Sequence, residues 1–349
     1  MSGSIYDETW TLNKGFSRFA QDAESAQTRE CIFSRYFPDM TPAQPSCAVV
    51  LCTFNGSRFL REQLDSIASQ SIHPTTILVS DDGSEDDSMR IVQAFSKSWT
   101  AGKTLNLHGP RSGYATNFLS TLAQVDPATQ LIALSDQDDV WLRDKLAHAF
   151  EMLEPFGDTP ALYGAATSIC DENLSVIGTS RPLKVPLDFR HAIGQNFAGG
   201  NTMVLNNAAL DLVQAAWPIS GHVPVHDWWL YQLVSGAGGR VLYDSRPCLY
   251  YRQHVSNEIG DAAGVMAIAN RLRRMAKGDY KRWNTANLKA LNKCRSLLSD
   301  SSKRVLSEVL ERRNGGVARR ISMMRSPGLY RQGNLGQLGL VAALALNRF

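Results

Sequence analysis

The sequence predicts an α/β fold built on a mostly parallel sheet, and three observations carry the prediction. Between residues 46 and 136, short apolar runs alternate with stretches of helical spacing, the pattern of repeated strand–helix crossovers. The runs Cys47–Thr53, 76–80 and 131–134 are apolar without alternation, as expected of strands covered on both faces. Each run stops in a polar cluster, at 53–56, 81–84 and 136–139. In parallel sheets ligands bind beyond the carboxyl ends of the strands, so these clusters are expected to converge on one site.

The elements follow in order. Residues 1–45 have weak periodicity, close in Pro38-Asp-Met-Thr-Pro-Ala-Gln-Pro45, and read as an N-terminal extension. The first strand, Cys47–Thr53, leads into a helix over 57–70 with Phe59, Leu60, Leu64 and Ile67 at helical spacing. The second strand, 76–80, stops at Asp81-Asp82-Gly83-Ser84, where Ser84 and Asp87 suit a capping box for a helix running through Phe95. A short third strand is expected at 105–107, a helix over Tyr114–Leu122, then the strand that runs into Asp136, with a further helix beginning near Trp141. Beyond Pro155 the pattern loosens. Strands are expected at 161–169 and 201–205, with 197–201 a flexible approach, and at 241–243 and 248–251. Pro224-Val-His-Asp-Trp-Trp-Leu-Tyr-Gln-Leu-Val234 reads as a helix with the proline near its first turn, broken by the glycines at 236–239. From 265 to about 317 the pattern is helical and basic. The organisation expected is an extension at 1–45, a domain at 46–260 and a helical basic segment at 261–349.

Composition narrows the class. At 44% apolar and 20% charged residues the 349-residue chain reads as a soluble globular protein. The N-terminus lacks a charged region followed by an apolar one, so no secretory signal is expected. No run reaches the roughly 18 apolar residues of a membrane span, and the best candidate, 335–346, is too short. Six scattered cysteines without a Cys-x-x-Cys pair read as reduced, buried thiols of a cytoplasmic protein. The net charge of +3 hides an asymmetry: 17 Lys and Arg face four acids between Arg271 and Arg331, and the remainder is acidic. Leu272 with Met275, and Leu288, Leu291 and Leu298, give these helices an apolar side. The basic side is then free for anionic lipid on the cytoplasmic face of the inner membrane, or for docking on the acidic body; the two carry equal weight. No nucleic-acid partner is expected.

Three carboxylates within four residues, Asp136, Asp138 and Asp139, repel one another, and burying them unpaired would cost several kcal/mol, about that of other unpaired buried ions. Something positive is expected among them. Oxygen ligands at a strand end suit Mg²⁺ or Mn²⁺, which bridge to substrate phosphates; a solvated acidic turn before a helix fits the same stretch equally well. P-loop, Gly-x-Gly-x-x-Gly and Gly-x-Ser-x-Gly motifs are absent. Ser235-Gly-Ala-Gly-Gly239 superficially resembles a dinucleotide loop but follows a helix rather than a strand, which argues against that reading.

Taken together, Thr53-Phe-Asn-Gly56, Val79-Ser-Asp-Asp-Gly-Ser84, Leu134-Ser-Asp-Gln-Asp-Asp-Val-Trp141, His226-Asp-Trp-Trp-Leu230 and Tyr250-Tyr-Arg-Gln-His254 resemble the motifs of family 2 inverting glycosyltransferases with the GT-A fold. The last two resemble the bacterial members that build surface polysaccharide and lipopolysaccharide O-antigen, rhamnosyltransferase-like proteins among them. The resemblance covers about 46–260 and implies a Rossmann-like central sheet flanked by helices, to which the basic C-terminal helices are appended. It implies that Thr53 and Asn55 touch the base and ribose of a nucleotide, and that Asp81 or Asp82 accepts from a uracil or thymine imide. Gly113 and Asn117 would line the same pocket. Asp136 and Asp138 match the family's Asp-x-Asp, with Gln137 in the variable middle place; one ligates Mg²⁺ or Mn²⁺ directly and the other acts through water or ribose. Asp227 would be the base, Arg252 would meet the diphosphate, and His254 would add a metal ligand. For each of these an ordinary turn, cap or strand end is the plainer reading. Trp228, Trp229 and Tyr231 offer rings for stacking on sugars, although at adjacent helical positions at least one must be core.

The function expected is inverting transfer of a sugar, rhamnose among the candidates, from a dTDP- or UDP-linked donor to a growing lipid-linked surface glycan. Two rivals remain at this level. A catalytically inactive sugar-nucleotide or glycan-binding relative is disfavoured by intact Asp136, Asp138 and Asp227. A nucleotidyltransferase is disfavoured because Thr53-Phe-Asn-Gly-Ser lacks a Gly-rich loop with Arg or Lys.

Overall fold

The computed structural model describes residues 44–254, 273 and 277–349. The expectations for residues 1–43, Leu272 and Met275 lie outside the described residues. The alternation of runs in the sequence becomes β1 (Cys47–Thr53), α1 (Leu60–Ala68), β2 (Thr76–Asp81), α2 (Ser88–Ser98), β3 (Lys103–His108), α3 (Tyr114–Leu122) and β4 (Leu131–Ser135). There follow β5 (Val140–Trp141), α4 (Lys145–Leu153), β6 (Ala161–Cys170), β7 (Val176–Thr179), α5 (Phe189–Gly194), β8 (Val204–Asn206), α6 (Asn207–Ser220), α7 (His226–Gly236) and β9 (Arg240–Arg252). The basic segment holds α8 (Asp279–Lys293), α9 (Asp300–Arg312), α10 (Val317–Ile321) and α11 (Gly333–Ala345).

The strands form one sheet in the order β3-β2-β1-β4-β8-β6-β9-β5, with β7 pairing β6 at the side. β1 to β4 are mutually parallel, β8 is reversed between β4 and β6, and β6 pairs parallel with β9. A mostly parallel sheet flanked by helices is therefore observed. Burial on both faces explains the uninterrupted apolar runs. Along β1, Ala48, Val50 and Cys52 enter the core layer under α3, α6 and α7, while Cys47, Val49 and Leu51 enter the layer under α1, α2 and α4.

Several element boundaries are corrected by long-range pairing. The two short strands expected at 241–243 and 248–251 are one strand, β9, whose register with β6 shifts around Ala166 opposite Pro247. A bulge there accommodates the residue that lacks a ladder N–H. Trp141 opens no helix: it lies in β5, paired with Leu249, and α4 begins at Lys145. Residues 200–202 form a 3₁₀ turn, so the strand expected at 201–205 starts at Val204. Ser84 caps no helix, because its hydroxyl is bonded to Asp81; α2 begins at Ser88, whose N–H donates to Asp86 at 3.0 Å. Helix α6 was not expected, although Asn206 caps it by accepting from the Ala209 N–H at 3.0 Å.

Pro45–Phe349 is one compact unit. Leu288, Leu291 and Leu298 of the basic segment are buried in the same core layer as Val213 and Trp229, so the apolar side of α8 docks on the body. Among the described residues no helix is long and apolar enough to cross a membrane.

Candidate active site

The ends of β1, β2 and β4 open into a cleft of about 2240 Å³ whose wall includes Thr53, Asp82, Asn117, Asp136, Asp138 and Asp227. The loops after β1 and β4 are tied together by Gln137. Its Oε1 accepts from the Thr53 hydroxyl at 2.7 Å and the Phe54 N–H at 2.9 Å, and its Nε2 donates to the Phe54 carbonyl at 3.2 Å. A side chain on Gly56 would collide with this amide, so the tie requires glycine there. Asn55 turns the loop at φ 48° and accepts from the Glu85 N–H at 2.9 Å, which fastens it to the loop after β2.

The two carboxylates after β2 do different things. Asp81 is buried and accepts from the N–H groups of Gly83 (3.2 Å) and Ser84 (3.0 Å) and from the Ser84 hydroxyl, so it shapes its own turn. Asp82 lines the cleft and accepts from the N–H groups of Arg111 (2.6 Å) and Gly113 (3.0 Å). Gly113 lies at φ 87°, where glycine is favoured. Asn117 exchanges bonds with Ser80, accepting from its hydroxyl at 2.6 Å and donating to its carbonyl at 3.1 Å.

Beyond β4 the carboxylates are crowded. Burial, then Asp139, Asp138 and Asp227 push the Asp136 carboxyl well above the usual range. Asp139 is buried beneath, raised by burial and Asp138, with one oxygen accepting from Asn201 Nδ2 at 2.6 Å and the other unpartnered. The positive group expected among them is in part Lys145, a buried ammonium that donates to the Asn201 carbonyl at 2.6 Å and sits 3.4 Å from the centre of the Trp141 ring. Its proton is loosened by burial to about 8, against the pull of Cys248, Asp139 and Asp136. His254 Nε2 lies 2.8 Å from Asp138 Oδ2. Among the described residues no three His, Cys, Asp or Glu side chains close around a point. Asp138 and His254 nevertheless present an oxygen and a nitrogen side by side at the cleft, next to a carboxylate that its neighbours disfavour as an anion. That donor set fits a hard divalent cation completing its shell with water and phosphate oxygens.

Arg252 is placed differently from a diphosphate ligand. Its buried guanidinium donates to the Asp138 carbonyl at 3.0 Å, pairs with Glu62 at 2.5 Å and lies 4.4 Å from the centre of the Phe59 ring, behind the carboxylate loop.

Asp227 stands in the first turn of α7, facing the cleft. Its oxygens accept from the N–H groups of Trp228 (2.5 Å) and Gly200 (3.1 Å), while burial pushes the carboxyl up to about 6. His226 beside it is held neutral by burial, at about 3, and stacks on Phe118 with ring centres 4.2 Å apart. Of the three rings offered for sugar stacking, Trp229 and Tyr231 are fully buried in the core, and Trp228 reaches the cleft wall. The sequence reading missed Lys145, Gln137, Gly200 and Asn201. Lys145 was detectable: with Ala149 and Leu153 it occupies the buried stripe of α4, where a lysine needs a reason.

Residues 48–205 match the family described as Glycosyl transferase family 2. The dTDP-rhamnosyl transferase RfbG of Shigella flexneri is 26% identical over 251 residues, covering 69% of this chain and 84% of that protein. Among solved structures, S. aureus TarS 1-349 in complex with UDP-GlcNAc is 15% identical, with a TM-score of 0.47 over 82% of this chain and 93% of that one. The mannosyltransferase PcManGT from Pyrobaculum calidifontis, in complex with GDP-Man and Mn²⁺, is 17% identical with a TM-score of 0.44 over 89% of each chain.

Proposed function

We propose that this chain, whose residues 48–205 match the family described as Glycosyl transferase family 2, is a nucleotide-sugar glycosyltransferase, and that its reaction is inverting, with Asp227 as base. The observation that carries this reading is the shared cleft, whose wall includes both Asp227 and the strand-end carboxylates; we assign the former to the acceptor and the latter to the donor. A carboxylate at about 6 is a better base than an ordinary aspartate, and the acceptor hydroxyl acidifies as the anomeric carbon becomes cationic. The N–H groups of Trp228 and Gly200 hold the carboxylate in place for that proton. Asp82, Asn117, Thr53 and Asn55 shape the pocket for the nucleotide, Asp82 being the member of its pair that faces the cleft.

Asp138 and His254 would hold Mg²⁺ or Mn²⁺, with Asp136 alongside. Such an ion, when bound, stabilises the leaving diphosphate. Arg252 steadies the loop that carries Asp138. The donor is proposed to be dTDP-rhamnose or a UDP-sugar, the former supported by the likeness to the dTDP-rhamnosyl transferase. A lipid-linked glycan acceptor is supported by the exposed Leu335 and Leu338 of α11, which also line the cleft, and by the basic surface of α8. We place the protein's work at the cytoplasmic face of the inner membrane on this ground.

Purified protein incubated with a panel of nucleotide sugars should release a nucleoside diphosphate and transfer the sugar with inverted configuration, read by NMR of the product. Reversible loss of activity on chelation is expected, and Asp138→Asn should remove most activity in a folded protein. Full activity in excess chelator would end the metal assignment, and pyrophosphate release would identify a nucleotidyltransferase instead.

A further inference from the structure

The turn at 200–202 joins the two sides of the cleft. Its Gly200 N–H donates to Asp227 Oδ2 at 3.1 Å. The next residue, Asn201, is buried, donates from Nδ2 to Asp139 Oδ2 at 2.6 Å and accepts at its carbonyl from Lys145 Nζ at 2.6 Å. A Cβ at Gly200 would stand 2.6 Å from His226 Nε2 and 3.3 Å from Asp227 Cβ, so only glycine lets the turn press its N–H on the carboxylate. The Thr202 hydroxyl closes the turn on the Gly199 carbonyl at 2.8 Å.

We propose that Asn201 is a positioning residue for Asp227, holding the base in register with the carboxylate loop of the donor side through Asp139 and Lys145. The inference rests on Asp227 being the base. Two N–H groups, from Gly200 and Trp228, fix the plane of the Asp227 carboxylate, and one of them belongs to a turn whose place is set from the far side of the sheet. Asp139 and Lys145 are fully buried, and each contributes a charge-assisted bond, the stronger kind. Losing the Asn201 anchor lets the turn and its N–H shift, and small misplacements of a catalytic group cost turnover steeply. The nucleotide pocket proposed at Thr53, Asn55 and Asp82 lies on other loops, so binding of the donor's nucleotide is expected to be preserved.

The test uses full-length protein. Asn201→Asp turns the donor facing Asp139 into a second acceptor. It should lower kcat about 10- to 100-fold, with donor KM within about twofold of wild type. Combining it with Asp139→Asn restores one donor facing one acceptor, and kcat should recover to within about threefold. Thr202→Val, which opens the same turn, should show the same split and serves if Asn201→Asp does not fold. Wild-type kcat in folded Asn201→Asp or Thr202→Val, a donor KM that rises as kcat falls, or no recovery in the folded swapped pair would each overturn the proposal. Asp227→Asn is measured alongside. If it is inactive while Asn201→Asp turns over normally, the positioning role alone is lost; if Asp227→Asn turns over normally, the base assignment is lost.

Discussion

At the scale of single residues, Asp227 decides most. Burial disfavours its charged form, which has two consequences of known sign. As a base it must be ionised, so kcat/KM should fall about tenfold per pH unit below about 6, and no such limb should remain in residual Asp227→Asn activity. As a buried anion it opposes folding: between its ordinary value, near 4, and about 6 the folded protein binds the extra proton, so stability declines as pH rises through that window. Asp227→Asn should therefore have a higher Tm than wild type above pH 6 and an equal one below 4, with turnover lower by about 10²–10⁴-fold. An unchanged Tm at pH 8 would show that the carboxylate is not strained by its surroundings. Lys145 is the cationic counterpart: burial loosens its proton to about 8 against the pull of Cys248, Asp139 and Asp136, and its ammonium donates to the Asn201 carbonyl at 2.6 Å. Lys145→Met is expected to destabilise, since it leaves those acids without their internal partner.

At the scale of elements, the helix starts are set by side chains that sequence rules only approximate. Asp86, not Ser84, organises the start of α2, accepting from Ser88 and from the Ser57 N–H at 2.9 Å, and these bonds hold its carboxyl down at about 2, against the opposing pull of burial. Its contribution is present above the ordinary aspartate value and fades as pH falls from about 4 to 2. Asp86 is exposed and water screens it, so Asp86→Ala should cost only about 1 kcal/mol, measured by urea unfolding at pH 7, and less at pH 2. Helix α8 makes a larger claim. Leu291 is fully buried in the layer that holds Trp229, and Leu291→Ala should cost about 2–5 kcal/mol in a single unfolding transition. A separate low-temperature transition for the C-terminal helices would contradict the shared core.

At the scale of the whole molecule, the C-terminal helices expose both charge and apolar surface. Arg282, Lys289 and Lys293 lie exposed on α8, while Leu335 and Leu338 lie exposed on α11 beside the opening. Each basic residue near an anionic bilayer is attracted by about 1 kcal/mol. The proposed lipid contact predicts co-sedimentation with anionic vesicles that weakens with added salt. It should fall when Arg282, Lys289 and Lys293 become Gln, and again with Leu335→Ser and Leu338→Ser. Equal recovery with neutral and anionic vesicles would leave only the docking of these helices on the body.

The sequence by itself determined the alternation of strands and helices up to β4, because apolar runs buried on two faces and amphipathic helices write their periods locally. It also placed the acids at 81–82, Asp136 and Asp138 on one cleft, since residues at the ends of parallel strands must meet, whereas Asp227, on a helix, was pointed to only by the family resemblance. Only the tertiary structure decided which of two adjacent acids faces that cleft, that Arg252 stands behind it, and that β9 is a single strand. Those outcomes depend on partners 79 or more residues away for Arg252 and β9, and on loop hydrogen bonds for Asp81 and Asp82. The same reason hid Asn201 and the partners of Lys145: a buried polar side chain is explained by what it meets across the sheet, and spacing along the chain shows at most that Lys145 is buried.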